Sequence, residues 1–435
     1  MRKLFFCARE LQDYLSHVKN IDKLNLPAAK SYAPELLDLP PVQEILRSLT
    51  ESYDGEIFWQ TGVDGLRLDF NCGLRLEVPA GNFHVRISDF DSGQIFFDRE
   101  LSDVRLISVE KYFIRWQVEI FSDGRKIFSH VLNLAGRTIH LAFKKIGGLG
   151  DTLAHLPYAE EFARTFNCRV VISLPDYLRE LAKNFYPALE QIDDLTSETY
   201  ATYPIMMNFG DFPTIPADIR SAPLNRVAGA ILGLNILPPK PTFKPTMPPV
   251  TNEPYVCIGV QASTPIKGWQ YPNGWKIVVD YLKRLGYRVF CIDRKNFQRD
   301  GQYVAQIPEG AEDFTGDFSI MERANMLYRA EFFIGLSSGL SWLAESVNCP
   351  VVMICGFSSS WHEFHTPYRV ANRLVCNGCY SDLRVRAFDN FCPYQVGTAR
   401  ELECQKKISP RQVLNTIERL IVDRGLKLPA MRIFE

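Results

Sequence analysis

Between residues 50 and 135 apolar and polar residues alternate, as in Leu66-Arg67-Leu68-Asp69-Phe70 and Leu74-Arg75-Leu76-Glu77-Val78, with Asn71-Cys72-Gly73 between them. A period of two places successive side chains on opposite faces of a strand, so the stretch predicts antiparallel β-structure with a tight turn. Further on, Ile114, Trp116, Val118 and Ile120 share one face and Arg115, Gln117 and Glu119 the other. Ser122-Asp123-Gly124 then turns the chain into a partner strand over 126–134. Residues 1–137 therefore predict a small β-rich accessory domain.

From residue 138 short apolar runs alternate with helical segments, the pattern of a parallel sheet covered on both faces. Strands are expected over 139–143, 169–173 and 205–208, and helices over about 151–166 and 224–234. The proline-rich stretch 237–249 suits neither helix nor central strand and reads as a linker. A second alternating block follows, with strands over 255–260, 288–292, 332–336 and 351–354 and helices near 274–285, 320–328 and 341–347. Gly286 suits the cap of its first helix, and Ser409, Pro410 and Gly425 mark the ends of the last one. The fold class is α/β, with domains over 1–137, 138–250 and 251–435 and a cleft between the two Rossmann-like units.

Composition narrows the function by exclusion. Hydrophobic residues make up 46% of the 435, which implies large cores, and 49 Lys plus Arg balance 50 Asp plus Glu, so no global field attracts nucleic acid or an anionic membrane. No apolar run approaches the ~18 residues of a spanning helix, and the apolar run at the N-terminus is too short for a signal-peptide core. A soluble, cytoplasmic protein is expected.

Three loops carry candidate chemistry. Ile139 to Asp151 leads a strand into a helix through Gly147, Gly148 and Gly150, which lets backbone amides approach a phosphate or sugar closely. The spacing is not the dinucleotide fingerprint, so nicotinamide binding is disfavoured. Asp151 stands at the start of that helix, where it serves either as a capping residue or as a general base deprotonating an acceptor hydroxyl. At the end of the strand over 255–260, Lys267 is either a solvated loop lysine or the cation that neutralises a leaving pyrophosphate, with Thr264 or Ser263 to hydrogen-bond it, as ligands of open α/β sheets bind at strand ends. Ser337, Ser338 and Gly339, with Leu340 beside them, form a candidate diphosphate cradle at another strand end, and Asp293 a contact to nucleotide base or ribose.

Cys376, Cys379, Cys392 and Cys404 follow the spacing C-x2-C-x12-C-x11-C. Four thiolates accept zinc or a single iron in a tetrahedral site, and a filled coordination sphere makes such a site structural. The remaining seven cysteines are scattered singly and read as buried thiols. The acidic residues Asp382, Asp389, Glu401 and Glu403 between the basic ones around this finger argue against nucleic-acid binding.

The segments Lys145-Ile146-Gly147-Gly148-Leu149-Gly150-Asp151, 261–269 and 335–344 resemble those of the heptosyltransferase superfamily, sugar-nucleotide glycosyltransferases of the two-domain GT-B fold. With its cysteine finger over 376–404 and a small N-terminal domain, the chain is most similar to the bacterial autotransporter heptosyltransferases over most of residues 50–425. The resemblance implies inverting transfer of heptose from ADP-heptose to serine hydroxyls of an autotransporter adhesin in the cytoplasm. Asp151 would be the catalytic base and Lys267 the diphosphate-binding cation. It also implies ferric iron (Fe3+) in the finger and a large homo-oligomer, a dodecamer. GT-B enzymes in general need no catalytic divalent metal, so finger and chemistry are expected to be separable. Lipopolysaccharide enzymes of the superfamily read Gly-x-Asp-Thr-Gly-Leu-x-His where this chain has Ser337, Ser338 and Trp342 at the Asp, Thr and His positions, so a carboxylate is missing. On the residues alone, another nucleotide-sugar donor or a non-catalytic nucleotide- or nucleic-acid-binding protein stays open.

Overall fold

A computed structural model describes residues 2–6, 55–143, 148–205, 216, 218–301, 303–385 and 392–429. Strands Arg67–Asn71 and Arg75–Val78 pair antiparallel across a turn in which Cys72 (φ 63°) and Gly73 (φ 87°) take left-handed backbone. Leu66, Leu68, Leu74, Leu76 and Val78 are fully buried, as the alternation requires. The polar positions depart from it: Asp69 and Arg75 are also buried, joined through Arg75 Nε and Nη2 to the two carboxylate oxygens at 2.7 and 2.6 Å. A paired, hydrogen-bonded charge tolerates burial that a lone one would not.

The reason is that this hairpin lies in the middle of a sheet. Eight strands run in the order Arg2–Phe6, Val104–Ser108, Arg75–Val78, Arg67–Asn71, Thr199–Pro204, Thr138–Ala142, Arg169–Ser173, Glu190–Gln191. Ala201 pairs with Phe70, and Thr202 Oγ1 donates to Asn71 Oδ1 at 2.8 Å. The expected border at 137/138 is therefore not a border of the sheet, because accessory strands extend the first α/β unit. Strands Phe83–Asp89, Ile95–Leu101, Trp116–Ser122 and Arg125–Val131 form a separate four-stranded sheet, turned at Asp123 and Gly124. Trp116, Val118 and Ile120 face its core.

Two further expectations shift. The strand placed at 205–208 is Thr199–Pro204, whose threonines and tyrosines carry less apolar signal; residues 206–208 lie outside the described residues. The helix expected over 151–166 is two, Leu149–His155 and Tyr158–Phe166, broken at Leu156-Pro157.

The second unit is a parallel sheet in the order Glu312–Asp313, Arg288–Cys291, Tyr255–Ile258, Phe333–Leu336, Val351–Ile354, Arg369–Val370. Val256 and Ile258 pack into one core and Tyr255 and Cys257 into the other, so the strand is buried on both faces, which explains its unbroken apolar run. Helix Pro410–Asp423 starts with a capping box between Ser409 and Gln412. The hairpin Phe297–Asp300 with Tyr303–Gln306 was not legible in the sequence.

The proline-rich connector is docked on both units over residues 243–247. Phe243 is buried against Phe185 and Tyr328, Asn184 exchanges two hydrogen bonds with the Lys244 backbone, and Asn325 Oδ1 accepts from the amides of Thr246 and Met247. It therefore holds the two units in register instead of hinging freely.

Candidate active site

Loops at strand ends of both α/β units meet in a cavity of about 1030 Å³. From the first unit comes Asp151, the third residue of helix Leu149–His155. From the second comes helix Gly339–Ser346, which packs directly on it. The approach depends on glycine: a Cβ on Gly150 would lie 2.7 Å from Trp342 Cδ1, and one on Gly339 2.8 Å from Leu149 Cβ. A Cβ on Gly148 would lie 2.7 Å from Asp151 Oδ2, so that glycine leaves the carboxylate its place. Gly150→Ala should push the two helices apart and cost about 1–3 kcal/mol in overpacking, measurable as a lower urea midpoint.

Asp151 and Lys267 line the same cavity. Burial raises the pKa of Asp151 above the ordinary carboxylate value, and the Lys267 charge partly offsets that. Lys267 sits in the short 3-10 turn Pro265–Lys267, its ammonium 5.7 Å from the centroid of the Phe357 ring. Gly148, Gly150, Ser337, Ser338, Gly339, Leu340 and Asp293 also line the wall. Gly147 lies outside the described residues. Thr264 does not line the cavity, and its Oγ1 is buried without a partner among the described residues.

Asp293 has a structural task at its strand end. Its carboxylate accepts the amides of Val260 at 2.7 Å and Gln261 at 3.3 Å, fixing the turn that leads to Lys267. Burial outweighs those bonds and raises its pKa to about 6. Arg323 is likewise committed, donating to the carbonyls of Ile292, Asp293, Gly316 and Phe318.

Among the lining residues that the sequence did not mark as part of the cleft are Tyr177, His362, Glu363 and Tyr380. None belongs to a glycine loop, and each reaches the cavity through tertiary folding alone. His362 accepts the Leu224 amide at its carbonyl (2.8 Å), and its ring packs on Tyr380 at 4.7 Å. His155 Nε2 donates to the Leu224 carbonyl at 2.8 Å, so the start of helix Leu224–Leu232 is clasped from both units.

Cys376, Cys379, Cys392 and Cys404 all line one narrow void of about 10 Å³. Among the described residues no group of three or more His, Cys, Asp or Glu is arranged as a metal-holding cluster. The donor chemistry nevertheless fits a soft cation: burial raises the thiol pKa of Cys376, Cys379 and Cys404, and the neighbouring thiols raise it further, a repulsion that a bound cation relieves. The finger adjoins the cleft. Tyr380, next to Cys379, lines the cavity, and Arg220 of the first unit donates to the carbonyls of Val385 at 2.6 Å and Asp382 at 3.3 Å.

Comparison with known proteins gives this geometry a family. Residues 62–124 match the model of the glycosyltransferase TibC N-terminal domain, and residues 234–391 that of glycosyltransferase family 9 (heptosyltransferase). The autotransporter heptosyltransferase BAHTCr of Citrobacter rodentium is 40% identical over 84% of this chain and 91% of its own. The chain belongs to the autotransporter heptosyltransferases. This heptosyltransferase is also similar to the crystal structure of TibC from enterotoxigenic E. coli H10407, at 37% identity and a TM-score of 0.81, covering 86% of this chain and 99% of that one. TibC is described as iron-containing and dodecameric, and its complex with ADP-D-beta-D-heptose superposes as well, with a TM-score of 0.80. A relative from Burkholderia thailandensis, BimC, 32% identical over 82% of this chain and 86% of its own, is named an inactive autotransporter heptosyltransferase. The two α/β units of this glycosyltransferase are accordingly GT-B-like.

Proposed function

We propose that the chain transfers heptose from ADP-heptose to serine hydroxyls of an autotransporter adhesin, inverting the anomeric centre, with Asp151 as general base. The observation that carries this reading is the pairing of Asp151 and Lys267 across one cavity built by both units. Its volume, about 1030 Å³, stands at the upper end of small-ligand sites (~300–1,000 Å³) and suits a nucleotide sugar with an acceptor side chain.

Asp151 takes the serine proton as the oxygen attacks the anomeric carbon. The bond from that carbon to the diphosphate breaks, and ADP leaves with its electron pair. Lys267 and the backbone amides at the start of helix Gly339–Ser346 stabilise the charge that builds on the departing diphosphate. The four cysteines would hold one ferric ion, with zinc as the alternative, and a closed thiolate set would brace the finger that carries Tyr380. Assembly into a dodecamer and action in the cytoplasm before export of the adhesin follow the same reading. It is supported by the TibC structure, and no helix among the described residues is long and apolar enough to cross a membrane.

The pairing has a pH signature. A base whose pKa burial raises gives up its proton less readily than an ordinary aspartate, so the acid limb of the rate profile should lie above the usual value of 3.8. Lys267 lowers that pKa, so Lys267→Ala should move the limb upward as well as slow transfer. ADP release measured from ADP-heptose beside UDP-hexoses tests the donor assignment. A wild-type chain that turns over a UDP-hexose and leaves ADP-heptose intact contradicts it.

A further inference from the structure

The loop of this chain has serine where related lipopolysaccharide enzymes have aspartate, yet the cavity wall does contain a carboxylate at that point. Ser337 follows strand Phe333–Leu336, and Glu363 comes from the loop after the adjacent strand Val351–Ile354. Ser337 Oγ lies 2.6 Å from Glu363 Oε1, and both residues line the cavity while being 8% and 4% exposed. Glu363 is built in: Ser358 Oγ donates to the same Oε1, and Arg369 Nη1 binds Oε2 at 2.7 Å. Arg369 in turn is held by the carbonyl of Ser358 at 2.9 Å.

This network fixes the polarity of Ser337. An ionised carboxylate only accepts hydrogen bonds, and its pairing with Arg369 keeps Glu363 ionised. Ser337 must therefore spend its single hydroxyl proton on Glu363, which leaves only lone pairs for a ligand. A phosphate oxygen has no proton to offer them, and the negative charge behind Ser337 repels it. A sugar hydroxyl does have one. The wall continues in kind: the buried His362, another lining residue, has its Nδ1 without a partner among the described residues.

We propose that Ser337, oriented by Glu363, accepts a hydrogen bond from a hydroxyl of the donor's sugar and so selects the glycosyl group, leaving the diphosphate to Lys267 and the amides of the Gly339–Ser346 helix. Ser337 is thus a sugar-reading residue instead of part of a diphosphate cradle, and Glu363 is its positioning residue. The proposal rests on the nucleotide-sugar reading of the cleft.

Equilibrium binding of ADP and of ADP-heptose to the full chain separates the two roles. Ser337→Ala should bind ADP within about twofold of wild type and ADP-heptose about tenfold more weakly, the scale of one hydrogen bond backed by a charge. Glu363→Gln removes a negative charge from the wall, so it should bind ADP as well as or better than wild type while losing affinity for ADP-heptose. A merely structural role would weaken both ligands together. Equal weakening of both ligands in both variants, or unchanged ADP-heptose binding in Ser337→Ala, overturns the proposal. Failure of the wild-type chain itself to bind ADP-heptose would overturn the donor reading beneath it.

Discussion

Asp151→Ala should leave a folded chain that binds ADP as wild type does and transfers heptose at least about 100-fold more slowly, the lower end of what a positioned general base contributes. A serine hydroxyl attacks poorly while it keeps its proton, and among the acids lining the cavity Asp151 is the one on helix Leu149–His155, which packs on helix Gly339–Ser346 of the second unit. Of the other acids in the wall, the two buried ones have visible tasks. Asp293 holds backbone amides and Glu363 is bound to Arg369, Ser337 and Ser358. Burial raises the pKa of Asp151, which makes its carboxylate a stronger base than one in water, and the Lys267 charge offsets part of that rise. Initial rates of ADP release beside ADP binding affinity check this. Wild-type turnover by Asp151→Ala would remove the base assignment, and the existence of a relative named inactive makes turnover itself the quantity to measure.

Cys404→Ser should abolish stoichiometric metal binding and, with it, both thermal stability and transfer. Metal sites of this kind contribute on the order of 10 kcal/mol to folding in small thiolate domains, and loss of one of four ligands opens the site. Here the effect should reach the chemistry, because the segment that starts at Cys379 places Tyr380 in the cleft wall and receives Arg220 from the first unit. Elemental analysis should find about one equivalent of iron or zinc per wild-type chain and almost none in the variant, since a site short of one thiolate is no longer closed. A variant that keeps full metal content and activity would contradict both the ligand set and the coupling.

The elements with strong periodicity were legible in the chain. Strand Val351–Ile354 and helix Pro410–Asp423 fall where the apolar run and the Ser409-Pro410 cap put them. What escaped depended on contacts distant in sequence. The alternation at Leu66 to Val78 states which side chains face a core, but not that the hairpin pairs with Thr199–Pro204 to extend a parallel sheet. Nor does it reveal that Asp69 and Arg75 are buried as a pair. In the cleft, glycine and lysine loops announce themselves by spacing. Glu363 does not, because its meaning comes from a hydroxyl 26 positions away. The linker was legible as chain without regular structure, but proline content does not say whether Phe243 is docked.

The most direct test of heptose transfer to protein is intact-mass spectrometry of a serine-rich autotransporter passenger fragment incubated with the wild-type chain and ADP-heptose, beside UDP-hexose controls. The account predicts heptose-sized mass steps with ADP-heptose alone, absent with Asp151→Ala. Hexose-sized steps with a UDP-hexose, or no step with any donor from folded, metal-loaded protein, would contradict it.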